Sequence, residues 1–315
     1  MFDVVCVGIL VADAIARTVN CLPDRGKLKT IDRIELYTGG CAVNAAIAMA
    51  RLGLNTAIIG KIGNDGFGKF MATSLKDEKV NIDGLKIDKA VGTSASVVTV
   101  DSTGERSFLH YLGTNAEFEI NDINYDIVRD SRMVFVAGTM LMPKFDGIQC
   151  AEFLKKAKEM GKYTILDTAW DSKGRWMEVL RPCMEHIDLF MPSVEEAVML
   201  SGKEEPEEIA DVFLSMGVKT VVIKLGKNGC FIKDGNGEKH FVPTYTKIKA
   251  VDTTGAGDSF CAGFLTGLTK GWSLYECGKF ANAVGTHCVM AAGASTGIKS
   301  FEETLEFMRN NEIGG

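Results

Sequence analysis

The stretch VDTTGAGDSF (Val251–Phe260) gathers residues that could move a proton and steady an anion. Gly255 and Gly257 admit backbone torsions that bring N–H groups together. A helix starting near Gly257–Asp258 would add its N-terminal amides and dipole, which attract anions. A phosphoryl group in transfer builds negative charge and suits such a turn. Asp258 then has two readings, which do not exclude each other. It could cap the helix, since Asp is among the best N-caps. It could also be a general base beside an acceptor hydroxyl.

A second cluster is YTGGCAVNAAIAMARLG (Tyr37–Gly53). Gly39 and Gly40 allow a close backbone approach to a ligand, or simply a tight turn into a helix. Asn44 falls near the start of that Ala-rich helix, which Gly53 would end. Together with Asp13, just past the first apolar run, it suits a polyhydroxyl ligand, because carboxylate and amide oxygens accept hydroxyl protons.

These residues need a scaffold. Apolar runs at Val4–Ile9, Asn55–Gly63, Met133–Gly138, Tyr163–Thr168, Ile187–Ser193 and Thr220–Gly226 alternate with helical stretches. That rhythm predicts an α/β fold with a mostly parallel sheet covered by helices on both faces. Lys27–Gly40 and Gly92–Gly113 break it with period-2 patterns, and Asp101–Glu105 (DSTGE) marks a hairpin turn. They predict either a small separate sheet covering a site or edge strands of the main sheet.

Composition excludes several classes. A net charge of −6 over 315 residues argues against broad attraction to nucleic acid or to an anionic membrane. Nine scattered cysteines, with no C-x-x-C, read as reduced core thiols of a cytoplasmic protein. The four histidines lack zinc-type spacing. The N-terminal stretch has no basic region and reads as a buried strand rather than a signal peptide. No run approaches the roughly 18 apolar residues that span a bilayer. A Walker A motif is absent, and so is a G-x-G-x-x-G after the first strand, which disfavours a dinucleotide-dependent oxidoreductase.

GGCAVNAAIAMARLG and DTTGAGDSFCAGF, in this order and separation, resemble the two signatures of the ribokinase-like (phosphofructokinase-B type) carbohydrate kinase family, and the resemblance covers nearly the whole chain. It implies a three-layer α/β/α sandwich with a mostly parallel central sheet and a small β-sheet lid. The lid would take about 13–38 and 92–113, and the main domain 1–12, 39–91 and 114–312. The implied reaction is ATP-dependent phosphorylation of a hydroxymethyl group on a fructose-, ribose- or ketodeoxygluconate-like monosaccharide. A nucleoside kinase ranks second, and a non-catalytic sugar-binding homologue is a remoter alternative.

The resemblance also assigns roles. Asp258 becomes the base, and Gly255, Ala256 and Gly257 the anion hole. Asp13, Gly39, Gly40 and Asn44 would hold the substrate, with His110 and Asn115 as lid-side contacts. Lys224, Gly226 and Gly229 in KLGKNG match the nucleotide-phosphate loop, which often has Thr where Lys224 stands. Asn282 matches a position in the adenine pocket; as a helix residue it could equally serve packing. Glu196 matches the acid that organises Mg²⁺ through water, but Ser193 stands where the family has Asn. An exposed helix-start acid stabilised by the dipole is the alternative for Glu196. A potassium ion, common in the family, would use Asp252 and the carbonyls of Thr254, Cys288, Ala291 and Gly293. Leu112 replaces an arginine found in many fructokinases and ketodeoxygluconate kinases, which argues against an acidic or ketohexose acceptor. Dimerisation through the lid is a further implication.

Overall fold

The chain forms two sheets in the computed structural model, which describes residues 1–245 and 247–314. Thirteen strands follow in chain order: β1 (Phe2–Gly8), β2 (Val11–Arg17), β3 (Arg33–Gly39), β4 (Thr56–Gly63), β5 (Asn81–Asp88), β6 (Ala95–Val100), β7 (Arg106–Tyr111), β8 (Ser131–Thr139), β9 (Tyr163–Thr168), β10 (Leu189–Phe190), β11 (Thr220–Lys224), β12 (Cys230–Asp234) and β13 (Lys239–Val242). Nine make one sheet in the order β13-β12-β11-β10-β9-β8-β1-β4-β5; β3-β2-β6-β7 make the other. Within the large sheet only the β11–β12 and β12–β13 pairings are antiparallel.

β1 shows why the large sheet is central. Val4 and Cys6 point into one apolar cluster, Val5 and Val7 into the other, and all four are fully buried. A strand covered on both faces must be apolar throughout. Helices Cys41–Arg51, Ala256–Thr269 and Leu274–Val289 cover the first face; Ile148–Glu159, Val194–Ser201 and Pro206–Ser215 cover the second. Gly263 permits the close crossing of two of these helices, because a Cβ there would lie 2.8 Å from the Ala281 Cα.

Most expected strands form within a residue or two of the predicted bounds. Ile187–Ser193 does not: only Leu189–Phe190 form a strand, and Ser193, which makes an isolated bridge to Lys224, already caps the next helix. The period-2 segments form the separate sheet rather than edges of the main one. At its hairpin tip the Asp101 carboxylate accepts from the amides of Thr103 at 2.8 Å and Glu105 at 3.0 Å. All nine cysteines are free, though Cys21 is exposed and Cys41 half-buried, so the thiols are not all core residues. Among the described residues no helix is long and apolar enough to cross a membrane.

Strand order now places the chemistry. From β1 the chain builds outward through β4 and β5, then returns to the other side of β1 with β8. Ligands of such sheets bind beyond the carboxyl ends of the strands, near the point where the order reverses. Asp167 at the end of β9, Lys224 at the end of β11 and Ser193 just after β10 all lie at that edge.

Candidate active site

A cavity of about 810 Å³ opens at this edge, lined by Asp167, Glu196, Lys224, Gly257, Asp258 and Asn282 among others. The helix Ala256–Thr269 enters it at its N-terminus. Gly255 is the N-cap residue with φ 75°, and a Cβ there would meet the Ala294 carbonyl oxygen at 2.5 Å. Only glycine fits both demands. The amides of Gly257 and Asp258 have no acceptor among the described residues, so they are free for an anion.

Asp258 does not cap this helix. It stands in the first turn, and the helix has no side-chain cap bond. Instead Asn44 Nδ2 donates to Asp258 Oδ2 at 2.8 Å, joining residues 214 positions apart. The Asn44 Oδ1 is buried without a partner. Burial raises the Asp258 pKa above its ordinary value, while the Asn44 bond, the Lys224 charge and Cys41 pull against it and Glu196 adds to it. A carboxylate so placed is oriented, partly desolvated and ready to accept a proton.

Lys224 reaches the other side of the turn. Its Nζ lies 2.8 and 2.7 Å from the two Asp167 oxygens, and a Cβ on Gly257 would be 3.3 Å from it. Burial opposes charge on both partners: it raises Asp167 and works against the Lys224 proton. Nevertheless Asp167 drives Lys224 upward, and contact with both oxygens marks an ionised pair. Asp167 carries no motif signal. Its one sequence cue is an acid ending an apolar strand of a doubly wound sheet.

Glu196 does stand at a helix start, but it is buried rather than exposed. It shares a capping box with Ser193, whose amide donates to Glu196 Oε2 at 3.0 Å; Thr168 Oγ1 donates to the same oxygen at 3.0 Å. Ser193 therefore does local work that leaves the second Glu196 oxygen to the cavity. No three His, Cys, Asp or Glu among the described residues converge as a protein-only metal cage. Magnesium held largely by phosphates and water needs only such isolated oxygens, so Glu196 fits it. Gly226 and Gly229 form the positive-φ turn from β11 to β12, and both line the cavity. Asn282 also lines it, but its Nδ2 donates to the carbonyls of Val242 at 3.0 Å and Pro243 at 3.2 Å. Its amide N–H groups hold the end of β13.

On the small sheet, Asp13 lies beside Tyr37 and Ser96. A Cβ on Gly39 would be 2.2 Å from Asp13 Oδ2, and one on Gly40 (φ 92°) would be 2.4 Å from the Ile9 carbonyl oxygen. These glycines thus make room for Asp13 and for the chain turning into the Asn44 helix. Burial raises the Asp13 pKa, against Ser96 and the Arg106 charge.

Three sets of expected site groups have protein partners in the structure. His110 lines a second cleft with Asp65, Phe67 and Tyr111, and its Nδ1 bonds Ser96 Oγ at 3.1 Å on the sheet face that also carries Asp13. Asn115 is buried and structural: its Oδ1 accepts from Leu10 N at 3.1 Å and its Nδ2 donates to Leu10 O at 3.0 Å. Asn115→Ala strands both Leu10 groups and should cost on the order of 2–4 kcal/mol, read as a fall in the urea midpoint. The residues expected around a potassium ion are also engaged with one another. Asp252 Oδ2 accepts from Gly293 N at 2.8 Å and from the Arg106 guanidinium, and the Thr254 carbonyl accepts from the Cys288 thiol at 3.3 Å. Ala291 turns its amide to the Cys288 carbonyl at 3.4 Å.

Residues 1–300 match the profile of the pfkB family carbohydrate kinases. The chain is 30% identical to the Arabidopsis thaliana probable fructokinase-6, chloroplastic, over 96% of this chain and 81% of that protein. It is 28% identical to the 5-dehydro-2-deoxygluconokinase of Geobacillus thermodenitrificans, over 98% and 93%. The structure of Arabidopsis thaliana ribokinase complexed with ribose and ATP superposes with a TM-score of 0.84 at 28% identity, covering 98% of this chain and 99% of that one. A cavity at the carboxyl edge of the sheet, an amide turn beside an oriented carboxylate and a family match across the chain converge, and the protein belongs to the pfkB family of carbohydrate kinases, ATP-dependent phosphotransferases.

Proposed function

We propose that the protein transfers the γ-phosphoryl group of ATP to a hydroxymethyl group of a neutral monosaccharide. One observation carries this reading: the Asp258 carboxylate, fixed by Asn44, stands beside free amides at the mouth of the cavity. Asp258 takes the hydroxyl proton as the oxygen attacks phosphorus in line. Gly257 and Asp258 amides, with Lys224, face the charge that develops on the γ-oxygens. Gly226 and Gly229 give the nucleotide phosphates a backbone-lined turn. Magnesium, when bound, neutralises phosphate charge, and Glu196 with its free oxygen is the residue that would hold it through water.

A neutral acceptor follows from the charges. Lys224 is paired with Asp167 and Arg106 with Asp252, while Asp13, Asn44 and Asp258 offer carboxylate and amide groups to hydroxyls. Leu112 offers no charge. A carboxylated or phosphorylated sugar would meet the Asp13 and Asp258 carboxylates, which costs affinity. In a coupled ADP-release assay with Mg-ATP, kcat/KM for D-ribose, or for D-fructose where Leu112 admits a ketohexose, is expected to exceed that for ketodeoxygluconate and sugar phosphates by at least about tenfold. Turnover of adenosine or inosine with none of either sugar would replace this reading with a nucleoside kinase.

A further inference from the structure

We propose that Arg106 of the small sheet supplies, at the loop preceding the anion turn, the positive charge that the family resemblance assigns to a potassium ion. The inference rests on the kinase reading of that turn.

Arg106 opens β7 on the sheet face that also carries Asp13 and His110. Its guanidinium crosses to the main body, donating from Nη2 to Asp252 Oδ2 and from Nη1 to Thr254 Oγ1 at 2.5 Å. The pair is enclosed, with side-chain exposure of 21% for Arg106 and 4% for Asp252. The Asp252 carboxylate is otherwise satisfied by the amides of Gly293 and Thr254, at 2.8 and 3.0 Å. Burial alone would raise its pKa, yet Arg106 and these amides hold it down at about 2.

A second cation on this carboxylate would press against the guanidinium in a poorly screened site, where like charges repel strongly. Beside it the Cys288 Sγ lies 3.3 Å from the Thr254 carbonyl and 3.2 Å from that of Ala294, so the thiol is packed among the carbonyls at this loop. A planar fork that engages a carboxylate and a hydroxyl together fixes direction as well as charge. Thr254 immediately precedes Gly255, the N-cap of the anion-turn helix. Arg106 is therefore a positioning residue. It ties the sheet bearing Asp13 to the loop that presents the Gly257 amide, and the tie needs no dissolved ion.

The test is thermal melting of the full chain in KCl and in choline chloride at one ionic strength. Wild-type protein should melt at the same temperature in both salts. Arg106→Ala should gain a potassium-specific rise of roughly 2 °C or more, because a vacated carboxylate now binds the ion. Its kinase rate with fructose or ribose, low in choline chloride, should recover at least about tenfold in KCl, a rescue that a merely structural loss would not give. Arg106→Gln serves if the alanine variant does not fold. A potassium-specific rise in the wild type, or none in either variant, overturns the proposal. Melting needs no turnover, so a failure of the kinase reading would show separately, as absence of ADP release with every acceptor.

Discussion

Asp258→Asn should lower kcat by about 10²–10⁴ with little change in KM for either substrate. The substituted amide keeps the shape and can still meet Asn44, but it cannot take a proton. Wild-type kcat should fall on the acid side as pH drops through the raised Asp258 pKa, because the base works only when ionised. Stability should move the other way. A group whose pKa is higher folded than unfolded contributes stability at low pH that is lost as pH rises through the folded value. At neutral pH the ionised Asp258 is thus a burden on the fold, and the Asn variant should melt at or above the wild-type temperature. Paired pH-rate profiles and melting curves check both halves. Wild-type turnover by Asp258→Asn would remove the base assignment.

Lys224→Met should act on both activity and stability. Loss of an ammonium beside the Gly257 amide should reduce kcat by about 10²–10³, as for other preorganised charges aimed at a developing anion. The same change leaves Asp167 buried without its counter-ion, which should cost about 3–5 kcal/mol near neutral pH. Its carboxyl, already raised by burial, then rises further, so the destabilisation should shrink as pH falls and Asp167 takes a proton. The double variant Asp167→Asn with Lys224→Met separates the roles: stability should largely return in urea titrations while kcat stays low. Equal recovery of both would make Lys224 a purely structural ion.

Motif chemistry reads well from a linear chain where a local rule applies. Gly255 and Gly257 announce an amide turn, and the apolar runs announce buried parallel strands, because torsion and alternation are local properties. Asp258 marks the limit of that reading. Its type and spacing suit a cap or a base equally, and only Asn44, 214 residues away, shows that its carboxylate faces the cavity rather than its own helix. Asn115 marks it in the opposite direction. A polar residue in a lid-like segment suggests ligand contact, yet folding brings Leu10 against it and its amide serves the backbone.

Residue order settles the succession of strands and helices, the two glycine turns and the set of acids available for a proton-accepting, anion-binding site. Tertiary structure alone decided which charges neutralise one another. Asp167 meets Lys224 because β9 and β11 end at the same sheet edge; Arg106 meets Asp252 because the small sheet lies against the main one. Electrostatic pairing depends on distance and burial rather than on residue order, so no spacing rule could assign those partners.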